Sequence, residues 1–393
     1  MARQAAHPTI IIPGIQGSML QDYYPIDPVT TWSVMTVIES KVTALDFAKL
    51  ALSDDAQTDR DPFVMTRPHQ LLSIAYATLA SGLQGRNLVP AYLFAYDWRY
   101  SNVRSAQDLV VFVDRLRAKT LANWDGRFDF ACHSMGGLVF RRFLDEWKRL
   151  KGTEAPVGRV AFIATPHKGS LGAAEALISG ESPILGGRKE MRKLARTFPG
   201  VYELLPLYGN GVMKVVKGGQ EIDLFQEKNW QTNTVTPDAN AGGYDIQQRH
   251  LTDAEQVLRT LPRPEDHGIA PQNMVVIYGA KPQSTLVEVQ ISNDRDQTYD
   301  FDGAKKGPGL GPGDDVVPVG SAKLPGVRAI EIKKEDLSYI WHPVQRAMVD
   351  SDLHAFLPAM DEVQTIVANF FDGQDGENLL PRDMRGQGRI TIG

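Results

Sequence analysis

Cysteine is almost missing from this chain of 393 residues: there is one, Cys132. A lone thiol excludes an intrachain disulfide and any multi-cysteine metal site, and it suits a reducing compartment. Long apolar runs are lacking too, and none approaches the roughly 20 residues that a membrane-spanning helix needs. No apolar signal region stands before the first strand-like run, so a cytoplasmic location is expected. Neither sign of charge dominates: 42 Lys and Arg against 47 Asp and Glu give a formal net charge of −5, which offers no electrostatic case for nucleic acid. Internal repeats and low-complexity blocks are absent. What remains, 42% hydrophobic and 23% charged residues, is the make-up of a globular protein with a sizeable core.

Against that background the run Phe130-Ala131-Cys132-His133-Ser134-Met135-Gly136-Gly137 carries the most information. It sets a serine between an apolar strand, 127–132, and an amphipathic helix starting at Gly136. A strand that turns sharply into a helix through a serine is the nucleophile elbow of α/β-hydrolases. The turn lifts the hydroxyl clear of the sheet, and the helix N-terminus favours negative charge developing beside it. The first glycine of the usual G-x-S-x-G is Cys132 here, so the motif is imperfect. A serine at an ordinary helix N-cap is the plainer alternative.

Short apolar runs alternate with helical patterns, which predicts an α/β fold: a mostly parallel central sheet flanked by helices. Strands are expected at 9–12, 89–95, 127–132, 159–164, 273–278 and 327–332. Helices are expected at 68–83, from a start near Ser105 and Asp108, after Gly136, and at 363–371. Residues 285–291 and 297–301 alternate around Asn293-Asp294 as a β-hairpin would, and 307–313 reads as a glycine-proline loop. Between 169 and 271 the alternation stops, leaving loops and isolated helices such as 188–196 and 252–261. The expected organisation is therefore a core in two parts, 1–168 and 272–372, with a cap or lid inserted at 169–271. A second lid segment is placed at 28–62, and 373–393 reads as a mobile polar tail.

A serine is a weak nucleophile without a base, and the base needs a carboxylate to orient it. In this fold they follow in the order serine, acid, histidine. His354, just before the C-terminal helix, fits that order ahead of His342, which sits in Trp341-His342-Pro343. Asp314 and Asp315, after the glycine-rich loop, are the acid candidates in that order; a solvated turn is the alternative. The oxyanion of an acyl-transfer intermediate needs two N–H donors. Met135 is one, and the loop Pro13-Gly14-Ile15-Gln16-Gly17-Ser18 supplies the other through Ile15, or else Gln16. Gln16, Trp32 and His133 are expected to line the substrate site, with His133 also supporting the elbow. No metal site and no cofactor is expected.

Six blocks occur in a telling order: 12–20 (IPGIQGSML), 96–99 (YDWR), 132–137 (CHSMGG), 164–170 (ATPHKGS), 202–206 (YELLP) and 313–318 (GDDVVP). Over about residues 8–372 the chain resembles the lecithin:cholesterol acyltransferase family, in the manner of a bacterial lipase or phospholipase relative. The resemblance implies Ser134 as nucleophile, Asp314 as acid and His354 as base, an oxyanion donor near Ile15, and a lid within the insertion. It would put glycine where Cys132 and Asp315 stand.

These features predict a serine hydrolase acting on a lipid or other acyl ester through an acyl-enzyme. The alternatives are an acyltransferase with the same triad, and a hydrolase-fold binding protein without activity. The segment 188–196 presents Arg188, Lys189, Arg192, Lys193 and Arg196 opposite Met191, Leu194, Ala195 and Phe198. Its basic face suits peripheral contact with an anionic membrane; otherwise it is a lid helix with a solvated back. Trp32 with Val34, Met35, Val37 and Ile38 offers a second apolar wall.

Overall fold

The computed structural model describes residues 7–33, 49–119, 124–185, 189, 191–235, 244–333 and 353–393. His342 and the apolar residues at 34, 35, 37 and 38 lie outside the described residues. In chain order the strands are β1 (Thr9–Ile12), β2 (Ser18–Asp22), β3 (Val29–Trp32), β4 (Thr66–Leu71), β5 (Ala91–Leu93), β6 (Phe128–His133), β7 (Val157–Ile163), β8 (Lys214–Lys217), β9 (Gln220–Glu221), β10 (Met274–Gly279), β11 (Lys281–Leu286), β12 (Glu288–Ile291), β13 (Leu310–Gly313), β14 (Arg328–Ile332) and β15 (Ile390–Ile392). Seven of them form the central sheet in the order β15-β14-β10-β7-β6-β1-β5. Every neighbouring pair in it is parallel except β14 and β15.

Most positions of the central strands are apolar because both faces of the sheet are covered. Successive side chains point to opposite faces. Ile10, Ile12, Phe130, Cys132, Val160, Phe162 and Val276 therefore join one core, with Leu109 and Val113 of the helix Asn102–Ala118 and Phe140 and Phe143 of the helix Gly136–Lys151. Ile11, Ala131, Ala161, Ile163, Val275 and Ile277 join the other, with Leu79 and Leu83 of the helix Ser73–Asn87 and Val363, Ile366 and Val367 of the helix Asp361–Phe371.

Four local expectations need correction. The helix placed at 68–83 begins only at Ser73, because Pro68 belongs to β4. That strand pairs with β2 alone, and an edge strand tolerates a residue without an N–H. The hairpin around Asn293-Asp294 shrinks to one bridge between Ile291 and Tyr299, because β11 pairs with β13 and β12 lies parallel to β8. Asp300 then caps a helix that opens at Phe301. The glycine-proline loop at 307–313 ends as β13. The tail at 373–393 is not loose: Leu379, Leu380 and Met384 are buried, and β15 adds an antiparallel edge to the sheet.

The stretch 169–271 packs into the same core as the sheet, through Leu171, Leu177, Phe198, Val201 and Tyr202. The pairing of β8 with β12 carries it across its expected boundary. Arg196, assigned above to the basic face, points inward and donates to the carbonyls of Leu177 and Tyr244, so that face is smaller than expected.

Glu203, from the YELLP block, is buried and accepts the N–H of Asn102 at 2.8 Å, closing the N-terminus of the helix Asn102–Ala118. Burial pushes its carboxyl up to about 7, against which hydrogen bonds from Ser101 and Asn102 work. The folded protein therefore holds a proton that the unfolded chain releases near 4.5, and stability falls as pH rises from there towards 7. This group's share is on the order of 3 kcal/mol. Thermal unfolding followed from pH 4.5 to 8 should show a decline in Tm that Glu203→Gln flattens. An unchanged slope in the variant would assign the decline to other groups.

Candidate active site

The elbow is built as its residue types require. Ser134, between β6 and the helix Gly136–Lys151, has φ +52°. A non-glycine residue held there costs about 1–3 kcal/mol, which the surrounding packing must offset. The Ser134 N–H donates to the Ile163 carbonyl of β7 at 2.9 Å. A Cβ on Gly136 would lie 2.5 Å from the Ile12 carbonyl oxygen, and one on Gly137 2.2 Å from Thr165 Oγ1. Both glycines let the helix sit against the ends of β1 and β7.

Around Ser134 three predicted side chains come together. His354 Nε2 lies 2.8 Å from Ser134 Oγ, and His354 Nδ1 lies 2.9 Å from Asp314 Oδ2. Because Nδ1 faces a carboxylate it carries the proton, which leaves Nε2 to accept from the serine hydroxyl. The other oxygen of Asp314, Oδ1, accepts the N–H groups of Val316 and Val317 at 3.1 and 2.7 Å. The His354 N–H donates to the Asp314 carbonyl at 3.1 Å, so acid and base are tied through the backbone as well.

Asp315, the second acid candidate, faces elsewhere. Its Oδ2 meets Lys281 Nζ at 2.7 Å and accepts the Leu353 N–H at 3.0 Å. Its φ of +82° is the reason a glycine would suit the position. Cys132 has no such backbone, so nothing there requires glycine; it is a fully buried packing atom whose thiol burial pushes well above its ordinary value.

The loop after β1 reaches the same place: a Cβ on Gly14 would come within 2.7 Å of Ser134 Cβ. Among the described residues, no acceptor meets the N–H of Ile15, Gln16 or Met135. Gln16 is half-buried with φ +62°, and its Nε2 is enclosed without a partner. Trp32 is buried edge-on against Trp98, with its Nε1 also unpartnered. The ring nitrogens of His133 are taken up by Tyr76 and by the His354 carbonyl. Tyr76 and Gly279 were not anticipated. A Cβ on Gly279 would strike Asp314 Cβ at 2.8 Å and Leu353 Cδ2 at 2.9 Å, so this glycine makes room for the acid and base loops. Ser134 is 4% exposed and His354 7%. A cleft of about 1070 Å³ lined by Glu175, Arg192, Arg196, Tyr299 and Phe301 contains none of the three. No group of His, Cys, Asp or Glu among the described residues could hold a metal ion.

Residues 73–262 match the family model for lecithin:cholesterol acyltransferase. The family resemblance holds over that span. It includes Ser134, while Asp314 and His354 lie beyond it. No curated protein matches the chain. Among solved structures, a chain of the crystal structure of the Tle4-Tli4 complex aligns over 94% of this chain and 98% of its own, at 17% identity and a TM-score of 0.58. The mature form of the Bacillus licheniformis lipase BlEst2 aligns over 85% of each chain, at 13% identity and a TM-score of 0.40. The fold is that of an α/β-hydrolase. No helix among the described residues is long and apolar enough to cross a membrane.

Proposed function

We propose that the protein is a serine hydrolase of lipid-like acyl esters, with Ser134 as nucleophile, His354 as general base and acid, and Asp314 as the orienting carboxylate. The observation that carries this reading is the unbroken chain Ser134 Oγ, His354 Nε2, His354 Nδ1, Asp314 Oδ2, at 2.8 and 2.9 Å. As Oγ attacks the ester carbonyl, its proton passes to Nε2 and the carbonyl electron pair moves onto oxygen. The N–H groups of Met135 and of Ile15, with Gln16 the alternative for the second, receive that oxyanion. The positive end of the helix Gly136–Lys151 lies behind it. Collapse expels the alcohol, which takes the proton from His354 and leaves an acyl-enzyme. Water then repeats the sequence and releases the acid.

The near-complete burial of Ser134 and His354 supports a cover over the site. If that cover encloses an apolar acyl channel, kcat/KM on p-nitrophenyl esters rises with acyl length. The gain is up to about fourfold per methylene, from about 0.8 kcal/mol of burial each. A series that peaks at acetate would overturn the lipid-like substrate class. The family description makes acyl transfer the second reading. Adding a long-chain alcohol as acceptor separates the two, because a transferase forms the new ester in preference to free acid.

A further inference from the structure

The buried pair Tyr76 and His133 has no place in the mechanism above, yet its hydrogen bonds run from the oxyanion loop to the base. Gly14 N lies 3.0 Å from Tyr76 Oη, Tyr76 Oη 2.7 Å from His133 Nδ1, and His133 Nε2 3.0 Å from the His354 carbonyl oxygen. The direction of each bond follows from chemistry. A carbonyl only accepts, so His133 Nε2 carries a hydrogen and donates to His354. In the neutral ring Nδ1 then has a free lone pair, and the Tyr76 hydroxyl donates to it. The Tyr76 oxygen in turn accepts the Gly14 N–H. Donors and acceptors match throughout only if His133 is neutral with its hydrogen on Nε2.

All three side chains are buried, and the His133 and His354 rings lie 5.0 Å apart, centroid to centroid. Burial first, and the neighbouring His354 second, drive the His133 pKa well below its ordinary value, in keeping with a neutral ring. Gly17 leaves the Tyr76 hydroxyl its space, since a Cβ there would lie 2.9 Å from it.

From this geometry we infer that Tyr76 and His133 are positioning residues: a directional strut that fixes the loop carrying Ile15 against the segment carrying His354, so that the oxyanion donor and the base keep one spacing around Ser134. The inference rests on the function proposed above. The strut touches no substrate. It acts on turnover, because a displacement of the base or donor by a fraction of an ångström weakens transition-state contacts more than ground-state binding.

The test separates positioning from packing. Tyr76→Phe removes only the hydroxyl and keeps the ring; His133→Phe removes both ring nitrogens on a larger ring, whereas His133→Gln stays close to the histidine in size and restores an amide N–H within reach of the His354 carbonyl. Both Phe variants should lose roughly 10- to 100-fold in kcat and in the rate of fluorophosphonate labelling, with KM within about twofold of wild type. His133→Gln should recover much of the loss. Tyr76→Phe carries the distinction, because it leaves the packing unchanged and a purely packing role would keep its kcat at the wild-type value. In the unaltered protein, ring ¹⁵N shifts should report His133 as the Nε2–H tautomer, a measurement that needs no variant to fold. Phe variants with wild-type kcat, a Phe-over-Gln ranking, or an Nδ1–H tautomer would each overturn the strut. Absence of Ser134 labelling in the wild type would instead overturn the function on which it rests.

Discussion

Ser134→Ala is expected to abolish fluorophosphonate labelling and to lower kcat/KM on p-nitrophenyl esters by roughly four to six orders of magnitude. The substitution removes one oxygen and little else. Ser134 holds φ +52°, and alanine meets the same backbone constraint there, so the elbow is no more strained after the change than before. The Ser134 N–H bond to Ile163 and the glycine contacts of the helix Gly136–Lys151 do not involve the side chain. A Tm within a few degrees of wild type should accompany the loss, which assigns it to chemistry. Residual turnover would come from binding and oxyanion donors acting on a water molecule. Labelling at another serine, or an alanine variant with full activity, would remove Ser134 from the role of nucleophile.

Much of the sheet was legible because its strands are buried on both faces. β1, β6, β7 and β10 read as short apolar runs, and the apolar faces of their crossover helices repeat at helical spacing. The strands that escaped notice are polar and belong through backbone pairing. β8 is Lys-Val-Val-Lys, and its partner β12 lies about seventy residues on. β15 is three residues after a glycine-rich stretch, held by β14. A hairpin was expected around Asn293 because alternation reveals a strand but not its partner, and here the partners lie elsewhere.

The candidate site divides along the same line. The elbow is local, so Ser134, Gly136 and Met135 could be read from six residues. Asp314 ranked ahead of Asp315 on a turn that both share, and what separates them physically is the direction of each carboxylate: Asp314 towards His354, Asp315 towards Lys281 and Leu353. Tyr76 and Gly279 lie far along the chain from the residues they serve, and nothing in a tyrosine on a helix face or a glycine ending a strand marks them. His133 was linked to the elbow by position, but its actual partners, 57 and 221 residues away, decide what it does.

His354→Ala should cost at least about 10⁴-fold in kcat/KM, since the serine proton then has no acceptor. Asp314→Asn should cost nearly as much, by a different route that the local hydrogen bonds specify. Oδ1 of Asp314 accepts two backbone N–H groups, from Val316 and Val317, at 3.1 and 2.7 Å. In the asparagine variant those donors claim the amide oxygen, because the amide nitrogen cannot accept them. The NH₂ group is thereby turned towards His354 and donates to Nδ1. The ring must then carry its hydrogen on Nε2, facing Ser134 Oγ, where it cannot take the serine proton. The variant should keep its fold and its substrate binding, lose about 10⁴-fold in kcat, and show the His354 ring ¹⁵N signals of the Nε2–H tautomer. Asp315→Asn leaves the Asp314 contact in place and should cost far less. An Asp314→Asn enzyme with near-normal kcat, or a larger loss for Asp315→Asn, would move the orienting carboxylate to Asp315.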